Sequence, residues 1–333
     1  MTTEAPAIDR HFSIAPMMEY TDRHERYFLR LISRRALLYT EMITAEAVIH
    51  GDARRLLAFS PAEHPIALQL GGSDPERMAR AAEIGQEFGY DEININVGCP
   101  SDRVRSGRFG ACLMAEPDLV AACATAMRAA TGLPITVKSR IGIDEQDSYE
   151  FLRHFIETVA AAGCHSFIVH ARKAILAGLS PKQNREIPPL DYDRVYRLKA
   201  DYPELEIIIN GGINSLQECQ NHLAHVDGVM LGRATYQTPY LLAAVDGTLF
   251  GDAAPLPSRA DLVRAMLPYI AEQIGQGVRL HAITRHMLGL YHGQPGARAW
   301  RRYISERSYL PGADGGLLEA ALAQLPRQLE PQY

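Results

Sequence analysis

Eight short β-rich apolar runs recur along the first three quarters of the chain, and this alternation constrains the fold more than any other feature. The runs are Phe12–Ala15, Leu37–Thr40, Pro65–Leu70, Glu92–Asn96, Ile135–Lys138, Ser166–His170, Glu206–Asn210 and Gly228–Leu231. Several are nearly continuous, as in Ile207-Ile208-Ile209, the pattern of parallel strands buried on both faces. Helical stretches fill the intervals. Pro75–Phe88 and Pro117–Ala130 start with an acidic residue and a proline and run on as Ala-rich periodic sequence, and Tyr149–Ala162 stops at Gly163 as at a C-cap. Eight strands alternating with helices over about 235 residues have the size of a (β/α)8 TIM barrel. An open doubly wound sheet is the competing architecture. No strand-like run follows the eighth, so the expected fold class is α/β, a (β/α)8 TIM barrel followed by a small all-helical domain.

The pattern changes near Phe250. Gly251-Asp252-Ala253-Ala254-Pro255-Leu256-Pro257 reads as a linker. Helical periodicity follows at Arg259–Gly275, Leu280–Leu290, Ala297–Glu306 and Leu317–Gln324. The expected domains are 1–250 for the barrel, 251–257 for the linker and 258–333 for the helical part. Charge divides at the same place. Ser258–Ser308 holds eight Arg, no Lys and three acidic residues, a balance of +5 in a chain whose net charge is −5. Such a split points to a segregated anion-binding surface, set against an ordinary solvated helical face.

No apolar run approaches the roughly 20 residues needed to cross a bilayer, and Met1–Arg10 lacks the apolar stretch of a signal peptide. A cytoplasmic location is expected by default. The five cysteines, Cys99, Cys112, Cys123, Cys164 and Cys219, form no CxxC pair. Neither a zinc site nor a disulfide framework is expected, and no metal.

In barrels of this kind the active site lies at the C-terminal ends of the strands. The residues delivered there are Pro16-Met17-Met18, Glu41, Gln69, Asn96, Lys138 and Arg140, His170, Asn210, and Gly232-Arg233. One such residue would be a cap or a turn former, whereas a ring of them implies a large polar ligand. The seventh and eighth strands run into Asn210-Gly211-Gly212-Ile213 and Leu231-Gly232-Arg233. Barrels hold phosphates between these two loops, where glycine lets backbone N–H groups come close and Arg233 can add a charge-assisted bond. Lys138 suits the N1–C2=O edge of a flavin, where a cation stabilises the reduced ring, and Gln69 can bond its pyrimidine edge. Cys99 sits between Gly98 and Pro100 in an irregular loop after the fourth strand. A nucleophile would need a base and a resolving group, and a metal ligand would need partners nearby. What is left is a general acid that gives its proton to a carbanion-like carbon, beside a structural cysteine in a turn.

These residues carry a resemblance. Ala15-Pro16-Met17-Met18, Asn96-Val97-Gly98-Cys99-Pro100 and Asn210-Gly211-Gly212-Ile213 together resemble the tRNA-dihydrouridine synthases. Ser101–Ala111 and Asn184-Arg185-Glu186-Ile187-Pro188-Pro189-Leu190 are similar to the A-type subfamily, and the likeness spans about residues 12 to 310. It implies an FMN-bearing barrel, a helical tRNA-binding domain and NADPH as reductant. The implied FMN contacts are Pro16, Met17, Met18, Gln69, Lys138, His170, Asn210, Gly211, Gly212, Gly232 and Arg233. Cys99 is implied as the proton donor, with Asn96, Asn184 and Arg185 toward the target uridine, and action falls in the D-loop at positions 20 and 20a. In that chemistry hydride from the reduced flavin adds at uracil C6 and a proton from the opposite face reaches C5. The base must leave its stack to enter a barrel, so the tRNA body has to be held elsewhere. Arg298, Arg301 and Arg302 fall at i, i+3 and i+4 on one helix and suit phosphate. A small-molecule FMN ene-reductase or a dihydroorotate dehydrogenase-like barrel would share the barrel but leave the Arg-rich part unexplained. A non-catalytic RNA-binding barrel would leave Gln69, Lys138 and Cys99 unexplained.

Overall fold

A computed structural model describes residues 8–101, 107–252 and 254–326. All eight expected strands form, as β1 (Phe12–Ile14), β2 (Leu37–Tyr39), β4 (Ile66–Gly71), β5 (Glu92–Val97), β6 (Ile135–Arg140), β7 (Ser166–His170), β8 (Glu206–Asn210) and β9 (Gly228–Leu231). A further two-residue strand, β3 (Ile43–Thr44), runs beside Leu70–Gly71. It was not expected, because two residues carry no periodicity. All pairings are parallel, in the order β2-β1-β9-β8-β7-β6-β5-β4, and β2 pairs with β4 to close the ring. Closure removes both sheet edges and excludes the open doubly wound alternative. A comparatively apolar patch of the interior is built by Ala15, Leu37, Tyr39, Ala67, Ile168, Ile208 and Met230.

The helices begin and end where local chemistry dictates. Asp74 caps the N-terminus of Pro75–Phe88 by accepting from the Arg77 N–H, Pro75 occupies the first turn, and Gly89 closes the helix at φ 92°. Its buried residues Met78, Ala81, Ala82 and Gly85 recur at helical spacing and cover one face. Ser148 caps Tyr149–Ala161, and Gly163 beyond it takes φ +88°.

The chain divides into two compact units, and the division differs from the one drawn by sequence order. The first holds Ala36–Gly232 with the N-terminal segment up to Glu19, and the second holds Tyr20–Arg35 with Arg233 onward. The helix Arg23–Ile32 therefore belongs with the C-terminal helices, although its sequence position suggested the barrel. The reason is electrostatic. Asp22, which caps this helix, bonds Arg285 at 2.7 Å, and the buried His286 lies between Asp22 (3.1 Å) and Glu25 (3.2 Å). Burial opposes charge on His286, but its bonds to Asp22 and Glu25 outweigh this and raise its pKa to about 8. The segment from Gly251 onward likewise lies inside the second unit. The expected helix Leu280–Leu290 is shorter, an α-turn at Leu280–Thr284 running into a 3-10 turn at Arg285–Met287. Among the described residues no helix is long and apolar enough to cross a membrane, and all five cysteines are free.

Candidate active site

Strand alternation decides which side chains enter the barrel. On β5 the period of two sends Glu92, Asn94 and Asn96 to one face and Ile93, Ile95 and Val97 to the other. All six are buried, so the polar set faces the interior. On β6 the same rule brings Thr136, Lys138 and Arg140 inward, and on β4 it brings Ala67 and Gln69.

At the C-terminal ends these residues meet. Lys138 Nζ donates to Asn210 Oδ1 at 2.9 Å, and Asn210 Nδ2 donates to the Met230 carbonyl at 2.7 Å. Burial, reinforced by Arg140, pushes the Lys138 pKa down to about 7. His170 ends the neighbouring strand, and burial followed by the repulsion of Arg140 and Lys138 holds it well below the usual histidine range. Its Nδ1 is buried and has no hydrogen-bond partner among the described residues. Gly211 and Gly212 adopt φ +113° and +74°, and a Cβ on Gly211 would lie 3.1 Å from His170 Cε1. Only glycine satisfies both demands there. The Tyr192 hydroxyl fixes the loop by donating to the Gly211 carbonyl at 2.8 Å.

Cys99 is half-buried, with Sγ 3.5 Å from Ser101 Oγ. Its loop is held from both sides. Asn96 Oδ1 accepts from the Gly98 and Cys99 N–H groups at 3.1 and 3.0 Å, and Arg140 Nε donates to the Gly98 carbonyl at 2.9 Å. Asn96 Nδ2 donates to Gln69 Oε1 at 2.8 Å. Asn96, expected as a substrate contact, therefore also shapes the loop that presents the thiol.

The remaining expectations separate. Pro16 and Met17 are half-buried after β1, and Met18 is exposed. Gly232 follows β9 and lies beside Met17, whereas Arg233 opens the helix Arg233–Gln237 and belongs to the second unit. Asn184, implied as a substrate contact, is engaged within its own loop. It is fully buried, its Oδ1 accepts from the Ile175 N–H at 2.7 Å, and its Nδ2 donates to the Ile175 carbonyl at 2.9 Å. Its amide is spent on bracing its own loop. Arg185 beside it stays half-buried at the same turn. Asp102–Ser106, within one of the motifs that carried the resemblance, lie outside the described residues.

Arg298, Arg301 and Arg302 are all exposed on the helix Ala297–Arg307 of the second unit. Their i, i+3, i+4 spacing on this helix makes them neighbours on its surface. Among the described residues, a cleft of about 670 Å³ is lined by Arg298, Arg302 and Arg307 together with Tyr303, Gln294 and Gln324, and Arg301 is absent from its lining. Arg307 lies over the Tyr303 ring at 4.3 Å and Arg302 is 3.7 Å from Glu306. Sequence reading missed Arg307 here and Glu92, Asn94 and Thr136 in the barrel, whereas Arg140 was among the residues expected at the rim. The alternation Glu92-Ile93-Asn94-Ile95-Asn96 was the available signal for two of them.

A closed parallel barrel whose strands deliver a lysine, a histidine, amides, a glycine loop and a presented thiol to one rim is the frame of a (β/α)8 enzyme. The chain belongs to the dihydrouridine synthase family, whose model matches residues 13–325. It is 60% identical over 325 residues to the tRNA-dihydrouridine(20/20a) synthase of Shewanella oneidensis, covering 98% of this chain and 97% of that one. The proteins of the same name from Vibrio cholerae and Escherichia coli K12 are 59% and 61% identical, over 95% and 93% of this chain and 97% and 90% of theirs. Among solved structures, a 2-naphthoyl-CoA reductase complex superposes with a TM-score of 0.53 at 12% identity, covering 71% of this chain and 49% of that one. That likeness concerns the fold alone.

Proposed function

We propose that this enzyme reduces uridine to 5,6-dihydrouridine in the D-loop of tRNA, at positions 20 and 20a, with FMN as cofactor and NADPH as reductant. The observation that carries the reading is the pairing of a presented thiol at Cys99 with a half-buried cation at Lys138 and a glycine loop on the same barrel rim. The names borne by relatives about 60% identical over nearly the whole chain support it.

The residues present fit a flavin phosphate. The glycine loop at Gly211 and Gly212, both at positive φ, leaves its backbone N–H groups free of side-chain cover, and the buried Nδ1 of His170 beside it has no hydrogen-bond partner among the described residues. Asn210, Gly211, Gly212 and Gly232 would take the phosphate end. Gln69, Lys138 and His170 would take the ring, with Pro16, Met17 and Met18 along its side. Bound there and reduced by NADPH, FMN would supply the hydride for uracil C6.

The chain's own residues do the rest. Lys138 brings a positive charge to a low-dielectric rim, where it is worth more than in water. Cys99 holds a proton at Sγ for delivery to C5, and Asn96 and Arg140 keep its loop in place. Arg185, with Asn96, would steady the uracil. The helical unit would grip the tRNA body through Arg298, Arg301 and Arg302, since phosphate contacts position without reading sequence. Heating the purified protein tests the cofactor: the supernatant should show flavin absorbance and the mass of FMN. A colourless protein that takes up no added FMN contradicts the reading.

A further inference from the structure

Inside the barrel, hydrogen bonds run in a single direction from the Cys99 loop to the opposite end of the interior. The Cys99 and Gly98 N–H groups donate to Asn96 Oδ1, and Asn96 Nδ2 donates to Gln69 Oε1. Gln69 Nε2 donates to Asn94 Oδ1 at 2.8 Å, Asn94 Nδ2 to Thr136 Oγ1 at 2.8 Å, and Thr136 Oγ1 to Glu92 Oε1 at 2.6 Å. Glu92 is completely buried at the start of β5. Its Oε2 meets Arg10 Nε at 2.7 Å, and its Oε1 also accepts from the Tyr39 hydroxyl at 2.7 Å.

The direction is forced from both ends. Backbone N–H groups can only donate, so Asn96 must turn its oxygen toward Cys99 and its nitrogen toward Gln69. That choice fixes the Gln69 amide, then the Asn94 amide, then the Thr136 proton. At the far end a carboxylate paired with Arg10 can only accept. Both constraints give the same orientation at every link. Gln69, Asn94, Asn96 and Thr136 are each at least nine-tenths buried, so water offers little alternative to these bonds and a reversed amide would leave buried groups unpaired.

We propose that Glu92, Asn94 and Thr136 are positioning residues that set which way the Gln69 amide faces and hold the Cys99 loop, although none of them lies at the rim. The proposal rests on the reading of Gln69 and Cys99 as parts of the flavin and uridine site. Glu92 is the acceptor that ends the series, and Thr136 is the switchable link, because its hydroxyl alone joins Asn94 to the carboxylate.

Thr136→Val keeps the shape and removes that hydroxyl, whereas Thr136→Ser keeps the hydroxyl. Tyr39→Phe is the comparison: the Tyr39 hydroxyl bonds the same carboxylate and meets the Thr136 hydroxyl, but it does not link Asn94 to Glu92. Each full-length variant is followed by thermal unfolding, by the rate of Cys99 alkylation with iodoacetamide, and by FMN titration after flavin removal. Thr136→Val should alkylate Cys99 faster and bind FMN more weakly, each by about fivefold, the size of one net hydrogen bond. Thr136→Ser should restore both, and Tyr39→Phe should lower the unfolding temperature and leave both near the parent value. If Thr136→Val does not fold, Asn94→Ala cuts the adjacent link and should give the same two changes. Parent alkylation and parent FMN affinity in the folded variant that cuts the series would overturn the proposal, as would equal changes in Tyr39→Phe. Alkylation needs neither cofactor nor tRNA. A failure there is thus distinct from a failure of the proposed reaction, which is read on the parent protein by dihydrouridine formation.

Discussion

The rim of the barrel and the helix Ala297–Arg307 both carry cations, but they use them in opposite ways. Lys138 and Arg140 are engaged by Asn210 and by the Gly98 carbonyl in an interior that depresses their pKa values. Arg298 and Arg301 are exposed, and no side-chain partner is found for either among the described residues. The difference teaches what each region can do. A reaction centre needs charges already oriented in a low-dielectric space, so that little reorganises as charge develops. A grip on a polyanion needs charges that can leave water and release counterions when a phosphate arrives. Damage to the first region should therefore stop chemistry and spare binding, and damage to the second should do the reverse.

The largest effect is expected at Cys99. In Cys99→Ala the cofactor should stay bound and NADPH should still bleach the flavin, but dihydrouridine formation should fall by roughly 10²-fold or more, the usual scale for losing a general acid. Formation at the parent rate would remove the thiol from the chemistry and blur the contrast between the regions.

The arginines give the next effect. Arg298→Ala with Arg302→Ala should weaken tRNA binding and flatten its salt dependence, by a log–log slope change of about 1 for each phosphate that is no longer neutralised. Arg301→Ala should act in the same direction, since Arg301 is exposed and has no side-chain partner among the described residues. Flavin content and NADPH oxidation without tRNA should not change. The alternative, that these arginines only pair with acidic neighbours such as Glu306, predicts intact affinity, because exposed pairs are worth about 0–1 kcal/mol. Titrations at two salt concentrations separate the two.

The smallest effect is a proton. With its pKa lowered to about 7 by burial and by Arg140, Lys138 is mostly neutral at pH 8. An anionic ligand favours the charged form and raises that pKa. FMN binding at pH 8 should take up a fraction of a proton approaching one, and affinity should fall as pH rises from about 7 through the raised value. Below about pH 7 the lysine is charged in both states, and this dependence should vanish. Calorimetry in buffers of different ionisation heat measures the uptake, and Lys138→Met should abolish it. No uptake at pH 8 in the parent would mean that Lys138 does not meet the anion.

The eight strands were legible because burial on both faces leaves runs such as Ile207-Ile208-Ile209, and the rim followed because strand ends are fixed by strand positions. β3 was not legible, since two residues set no period. The helix Arg23–Ile32 was assigned by chain order, whereas its partners, Arg285 and His286, are some 260 positions away, a distance that no local pattern spans. The bonds of the Asn184 amide to Ile175 were not legible either, since the fold of the loop brings the two residues together. The interior hydrogen-bond series was half visible in the spacing of Glu92, Asn94 and Asn96, but Thr136 and Gln69 join it only through strand register.

The central claim is that this barrel reduces a uridine in tRNA. The most direct measurement is mass spectrometry of nuclease fragments from unmodified tRNA incubated with the protein, FMN and NADPH. The account predicts a gain of about 2 Da, one hydride and one proton, on D-loop fragments carrying positions 20 and 20a, dependent on NADPH. Unchanged fragment masses beside a flavin that NADPH reduces normally would contradict it.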